Sequence, residues 1–128
     1  MRSARQFSLG KNEIAFLNGG IVRAPSGASL TVLNDAHFLV ERFLIREEDA
    51  RTPLRRLYLK IQCVLQSPPG DASASRTLED AFGRTAREIG CAQIGAALAE
   101  AKGHLRAERP LEAMKTLRRA FPLEDARL

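Results

Sequence analysis

Arg51-Thr52-Pro53-Leu54-Arg55-Arg56-Leu57-Tyr58 divides this 128-residue chain into two kinds of sequence. Thr52 reads as a helix N-cap, and Pro53 as the first helical residue. There a missing N–H costs nothing and the fixed φ suits the helix. The spacing predicts a helix from Pro53 to about Gln66, with Leu54, Leu57, Tyr58, Ile61 and Leu65 on one face. Leu59, Cys63 and Val64 widen that surface beyond a stripe, as in a helix buried between layers or set in a subunit interface. Tyr58 is expected in the core with its hydroxyl satisfied.

Three arginines stand at this helix start. A helix N-terminus already carries partial positive charge, so Arg51, Arg55 and Arg56 gain nothing from the dipole, and helix stability does not explain them. They read either as solvated charges on an exposed face or as a surface for an anion, such as RNA phosphate or an acidic partner. The acidic cluster Glu47-Glu48-Asp49 would hold them locally, or would serve as a cap or solubilising group. Three consecutive acids point different ways and make a poor cation site.

Upstream, the pattern has period 2. Phe7-Ser8-Leu9, Glu13 to Leu17, Ile21-Val22-Arg23, Ser29 to Leu33 and Phe38 to Ile45 read as five short strands. Asn18-Gly19 is a strong hairpin signal, because both central residues of a type I′ turn need positive φ. Asn34-Asp35 reads as a turn. The expected result is a small antiparallel sheet, open sandwich or partial barrel.

Downstream, the period is 3.6. Ser67-Pro68-Pro69-Gly70 through Ser75 reads as a loop, with Ser75 or Thr77 capping the next helix. Leu78, Phe82, Thr85, Ala86 and Ile89 form one face of that helix, opposite Asp80, Arg84, Arg87 and Glu88, and Gly90 ends or kinks it. Ile94, Leu98, Ala101 and Leu105 mark a third helix. Leu111, Met114, Leu117 and Phe121 mark a fourth, which opens at Pro110 and is expected to stop at Pro122. Gly103-His104-Leu105 with Pro110, Ala113, Leu117 and Ala120 is similar to half a tetratricopeptide unit, and equally reads as ordinary bundle packing.

The chain is therefore expected to be α+β. An antiparallel β module of about five short strands over residues 1–50 precedes a bundle of about four helices over 51–128. No apolar run is long enough to span a membrane. Met1-Arg2-Ser3-Ala4-Arg5-Gln6 is basic without a following apolar segment, so a cytoplasmic protein is expected. Cys63 and Cys91 read as small buried hydrophobes rather than a disulfide or metal pair.

Signatures of enzyme chemistry are poor. His37 and His104 stand outside any ligand-spaced cluster, and there is no phosphate loop, zinc pair or nucleophile elbow. No set of acids, histidines and metal ligands converges for a nuclease. Neither cofactor nor metal is expected. A net charge of +5 favours an acidic partner, RNA above all. Residues 1–66 hold 10 Lys/Arg against 6 Asp/Glu, and residues 67–128 hold 10 against 9, so any electrostatic footprint belongs to the first half. The candidates are Lys11, Arg23, Arg42, Arg46, Arg51, Arg55, Arg56 and Lys60. Of these, Arg23, Arg42, Arg51, Arg55 and Arg56 are assigned to RNA phosphates, which the guanidinium fork binds bidentately. One tyrosine and six phenylalanines, most at core-periodic positions, leave little for base stacking.

Taken in order, these residues resemble the FlbT family of bacterial flagellin regulators. The likeness is carried by Phe7-Ser8-Leu9-Gly10-Lys11-Asn12-Glu13, Asn18-Gly19-Gly20-Ile21-Val22, Ser29-Leu30 through Asn34-Asp35, and Glu41-Arg42. It is most specific in the Thr-Pro-x-Arg-Arg-x-Tyr core at residues 52–58. It covers the chain from about Phe7 to about Glu124. The resemblance implies a non-enzymatic post-transcriptional regulator that associates with the 5′ untranslated leader of flagellin mRNA and affects its translation and decay. It implies action alongside a small flagellin-associated partner, FlaF. No family motif fixes an RNA contact, so the arginine assignments rest on charge and placement. Lys60 and Gln62 are polar where the family's first helix is commonly apolar. The alternative is a protein-interaction module that binds flagellin or a FlaF-like protein through the helical half, with indirect effects on mRNA. The broad apolar surface of the first helix makes a homo-oligomer reasonable.

Overall fold

Asn18 and Gly19 have φ of 51° and 88°, the type I′ pair that the hairpin signal requires. They join β2 (Glu13–Leu17) to β3 (Gly20–Ala24) in antiparallel register, Leu17 opposite Gly20 and Glu13 opposite Ala24. β1 (Gln6–Leu9) pairs with β4 (Ala28–Thr31), and β5 (Phe38–Val40) pairs with the other edge of β2. The strands thus form one two-stranded and one three-stranded antiparallel sheet. The computed structural model describes residues 6–34, 36–70 and 72–127. The basic stretch at residues 1–5, Asp35 of the expected turn, Asp71 of the Pro-rich loop and Leu128 lie outside the described residues.

Four helices follow: α1 (Pro53–Leu65), α2 (Ala72–Ile89), α3 (Ala92–Arg106) and α4 (Pro110–Asp125). The chain is α+β in the expected order. α3 packs on α4, and α1 packs on α2, α4 and β5. One apolar cluster draws on both halves. Phe7 stacks on Phe38 with ring centroids 5.1 Å apart, and Leu54, Leu57, Ile61, Met114 and Leu117 complete its centre. Ala101, Ala113 and Ala120 are buried, so the tetratricopeptide-like spacing is ordinary close packing of small residues.

Several boundaries differ from the expectation. Phe38 to Ile45 is not one strand. It ends at Val40, and Glu41–Phe43 makes a 3₁₀ turn. The cause is side-chain chemistry: Glu41 accepts the N–H of Ile14, while the Arg42 N–H donates to Glu13. β4 likewise stops at Thr31. α2 begins at Ala72, inside the expected loop. The Ala72-Ser73-Ala74 run contains no breaker, and Ser75 and Thr77 lie within the helix rather than capping it. Gly90, at φ 63°, closes α2 in the left-handed conformation that helix ends favour. Pro122 does not stop α4, which continues to Asp125 because the side chains of its last turn are anchored on α1. Both cysteines are free, and only Cys91 packs against the core. Cys63 is exposed on the uncovered side of α1, and Cys91 is half-buried at the α3 N-cap, where the backbone N–H groups of Ile94 and Gln93 hold its thiol below the usual range.

α1 is the spine of the molecule, pinned by polar groups as well as packing. Tyr58 is fully buried and its hydroxyl donates to the Phe43 carbonyl. Its ring meets Phe121 edge-on at 5.4 Å and lies under the Arg118 guanidinium at 5.6 Å. One turn on, Gln62 is buried and explains its own polarity. Its amide accepts the Ile45 N–H at 2.9 Å and donates to the Ile45 carbonyl at 3.1 Å, standing in for a neighbouring strand.

Two outcomes test these pins. Gln62→Leu keeps the volume but strands both backbone groups of Ile45, and should lower unfolding stability by about 2 kcal/mol in a urea titration. Burial pushes the Tyr58 hydroxyl up from 10.0 to about 12, with Arg118 working against it. The unfolded chain therefore releases this proton first. Between about pH 10 and 12 stability should fall as pH rises, by about 3 kcal/mol in all. Because Tyr58 is the one tyrosine, its tyrosinate absorbance should appear near pH 12 in the folded protein and about two units lower in the urea-unfolded chain.

Candidate anion-binding surface at the start of the first helix

The start of α1 is built as the sequence predicts. Thr52 has extended backbone and its hydroxyl oxygen accepts the Arg55 N–H at 3.3 Å, with Pro53 in the first turn. The structure adds Glu124 from the far end of the chain. Its carboxylate accepts the Leu54 N–H at 2.8 Å and the Thr52 hydroxyl at 2.6 Å. The carboxylate is 3% exposed. A buried anion is costly unless it is fully bonded, and a helix N-terminus offers both unpaired N–H groups and a favourable dipole.

Arg55 completes this arrangement and is engaged within the fold. It is 21% exposed and donates to Glu124 at 3.1 Å. Its fork also grips Asp125 at 2.9 and 3.2 Å, and its guanidinium lies over the Phe121 ring at 4.3 Å. Two carboxylates and a ring therefore hold the charge assigned to RNA phosphate. Tertiary structure explains a placement that the helix alone could not. Arg42 is similarly engaged. It meets Glu13 at 2.6 Å, donates to the Ser8 carbonyl at 2.9 Å, and so ties β1 to β2 at the 3₁₀ turn.

The remaining assigned arginines face solvent. Arg51 donates from Nε to the Glu48 carbonyl at 2.8 Å, and Arg56 reaches the Arg51 carbonyl at 3.1 Å. These two are neighbours. Arg23 is exposed on β3, a separate element. The acidic cluster does not neutralise Arg55 or Arg56: Glu48 and Asp49 pair with Arg46 at 3.6 and 3.1 Å. That contact holds the Asp49 carboxyl below the usual carboxylate range, its hydrogen bond with Arg46 foremost.

Sequence reasoning missed Arg84. It stands on α2 across a cleft from Arg56 and Lys60, a cavity of about 130 Å³ also lined by Pro53, Leu57, Thr85 and Glu88. Arg56 touches Glu88 at 3.5 Å with both side chains about half exposed, a weak surface pair. Lys60 and Arg84 have no carboxylate within ion-pair distance among the described residues. The signal available in the sequence was the position of Arg84 on the polar face of its helix, but nothing there indicated which neighbour that face meets. Among the described residues no group of His, Cys, Asp and Glu is arranged to hold a metal ion. No helix among them is long and apolar enough to cross a membrane.

Comparison with known proteins gives a consistent result. The family model described as "Flagellar protein FlbT" matches residues 6–128. Proteins named "Probable flagellum biosynthesis repressor protein FlbT" match from Allorhizobium ampelinum (35% identity, 98% of this chain and 84% of the relative) and Brucella ovis (35%, 96% and 81%). A protein of the same name from Chelativorans sp. is 30% identical over 98% of this chain and 86% of its own length. No solved structure gives a significant match.

Removing one partner from a buried ionic cluster strands the others. Glu124→Ala should therefore cost about 3 kcal/mol or more in urea-induced unfolding. Glu124→Gln, which keeps an acceptor, should cost about half that. Arg55→Ala should also destabilise, and by more than Arg51→Ala or Arg56→Ala, each expected within about 0.5 kcal/mol of the parent.

Proposed function

The chain belongs to the FlbT family of flagellar proteins, and from that membership we propose that it is a post-transcriptional regulator of flagellin synthesis. It associates with the 5′ untranslated leader of flagellin mRNA and controls its translation and decay, in the repressing sense of its relatives' name, and it is not an enzyme. The observation that supports this most is the whole-chain match, from the first described strand to the last helix. The surface adds chemical support. Arg51 and Arg56 are solvent-facing at one end of α1, Lys60 lies one turn on, and Arg84 faces them from α2. Arg42 and Arg55 serve the fold, and Arg23 offers a separate cation on β3.

The mode of recognition is phosphate contact rather than stacking. Phe7, Phe38, Phe43, Phe82 and Tyr58 are buried, so they offer no open face to an unpaired base. Guanidinium groups held on a rigid helix can instead meet successive phosphates of a folded leader.

A second reading, protein interaction, has support on the β module rather than on the helical half where the sequence places it. Ile21, Val22 and Leu33 of the β module are exposed, at 65%, 43% and 88%, more apolar surface than phosphate binding needs. In that reading the protein binds flagellin or a FlaF-like protein, and its effect on mRNA is indirect.

The test is binding of the purified protein to its own flagellin leader and to a scrambled leader at two salt concentrations. Selective binding should weaken steeply with salt. Arg51→Ala/Arg56→Ala should reduce affinity at least about tenfold and lower the salt slope by about 1 for each phosphate no longer neutralised, with circular dichroism unchanged. A flat salt response, or no preference for the leader, would overturn direct RNA binding.

A further inference from the structure

α1 leaves one apolar side uncovered. Leu59 is half-buried and Cys63 is exposed, although Leu57 and Ile61 on the opposite side are fully packed, and half-buried Val64 stands beside that packed side. With Ala74 and Leu78 of α2 they line a groove of about 390 Å³ between the two helices. Lys60 lies at its boundary. Lys60 also lines the cationic cleft of Arg56 and Arg84. A mainly aliphatic groove and a positively charged cleft thus adjoin at Lys60 along the α1–α2 seam.

We propose that this groove docks an amphipathic helix from a partner protein, with aliphatic side chains on one face and carboxylates at one end of that face. A channel between two packed helices fits a third helix, whose side-chain ridges enter it. The aliphatic half has no aromatic lining, so it suits Leu-like side chains better than a nucleobase. The charged half holds three cations against the single carboxylate of Glu88, which selects for acidic residues. A second copy of this chain does not fit the same charge pattern. A two-fold contact through the groove would set Arg56, Lys60 and Arg84 against themselves. This inference does not depend on the RNA reading.

The probe is a synthetic amphipathic peptide of about 18 residues, long enough to hold a helix, with a Leu face flanked by Glu. Its counterpart carries Lys in place of Glu. In a Cys91→Ser background Cys63 is the only thiol, so its rate of alkylation by N-ethylmaleimide reports occupancy of the groove. The Glu peptide should bind and slow alkylation, and the Lys peptide should bind at least about tenfold more weakly. Lys60→Glu/Arg84→Glu, both at the surface, should invert that order while leaving the circular dichroism unchanged. Equal binding of the two peptides, or no protection of Cys63 by either, would overturn the proposal. So would protection of Cys63 by a short single-stranded RNA when neither peptide protects, which would give the groove to nucleic acid. The leader-binding experiment reads RNA association separately, so failure of one proposal is distinguishable from failure of the other.

Discussion

The carboxylate of Glu124 is the constraint on which the rest of the structure depends. It closes the chain across some 70 residues, joining the last turn of α4 to the first turn of α1. A buried anion survives only where its bonds are complete. Here the Leu54 N–H, the Thr52 hydroxyl and the Arg55 guanidinium complete them. The same contacts satisfy donors that a helix start leaves open. Each partner therefore removes a cost that the other would bear alone. Together they explain why α4 runs through Pro122 rather than stopping there.

From that anchored end, α1 organises the molecule through a ladder of pins. Leu54, Tyr58 and Gln62 are spaced by four, so they lie on one face. The first is held by α4, and the other two reach Phe43 and Ile45 in the segment leaving the β module. The segment that follows β5 is thus fixed by side chains of α1, after Glu41 and Arg42 have turned it out of the sheet. Arg42 performs for the β strands what Arg55 performs for the helices, using a carboxylate and a carbonyl from elements remote in sequence.

Local chemistry was legible in the sequence, and long-range pairing was not. Asn18-Gly19 encodes its turn in backbone preferences, Thr52-Pro53 encodes a cap, and Gly90 encodes a helix end, because each depends on a few adjacent residues. The buried faces of the helices followed from their period. Arg55 and Arg56 are adjacent and chemically identical, yet one is held by two carboxylates and the other makes only a half-exposed surface pair with Glu88. Only the position of residues 124 and 125 decides between them. Arg84 was hidden for the same reason: its significance lies in facing Arg56 and Lys60 across a cleft between helices. Cys63 was misjudged because apolar residues on several sides of a helix show that it packs widely, not which side stays open.

The pinning of α1 bears on how its outer side is used. Tyr58, Gln62 and the Glu124 contacts fix the helix from within, so Arg56, Lys60, Leu59 and Cys63 are presented on a backbone that has little freedom to lose. A preorganised surface keeps more of its contact energy as affinity. The two proposed ligands, a leader RNA and an acidic amphipathic helix, both draw on Arg56 and Lys60. Two anionic ligands cannot share the same cations without repelling each other, so occupancy of the groove by the helix would oppose RNA binding, and by linkage RNA would oppose the helix to the same degree. If both proposals hold, the cations left on the open side of α1 serve one of these partners at a time.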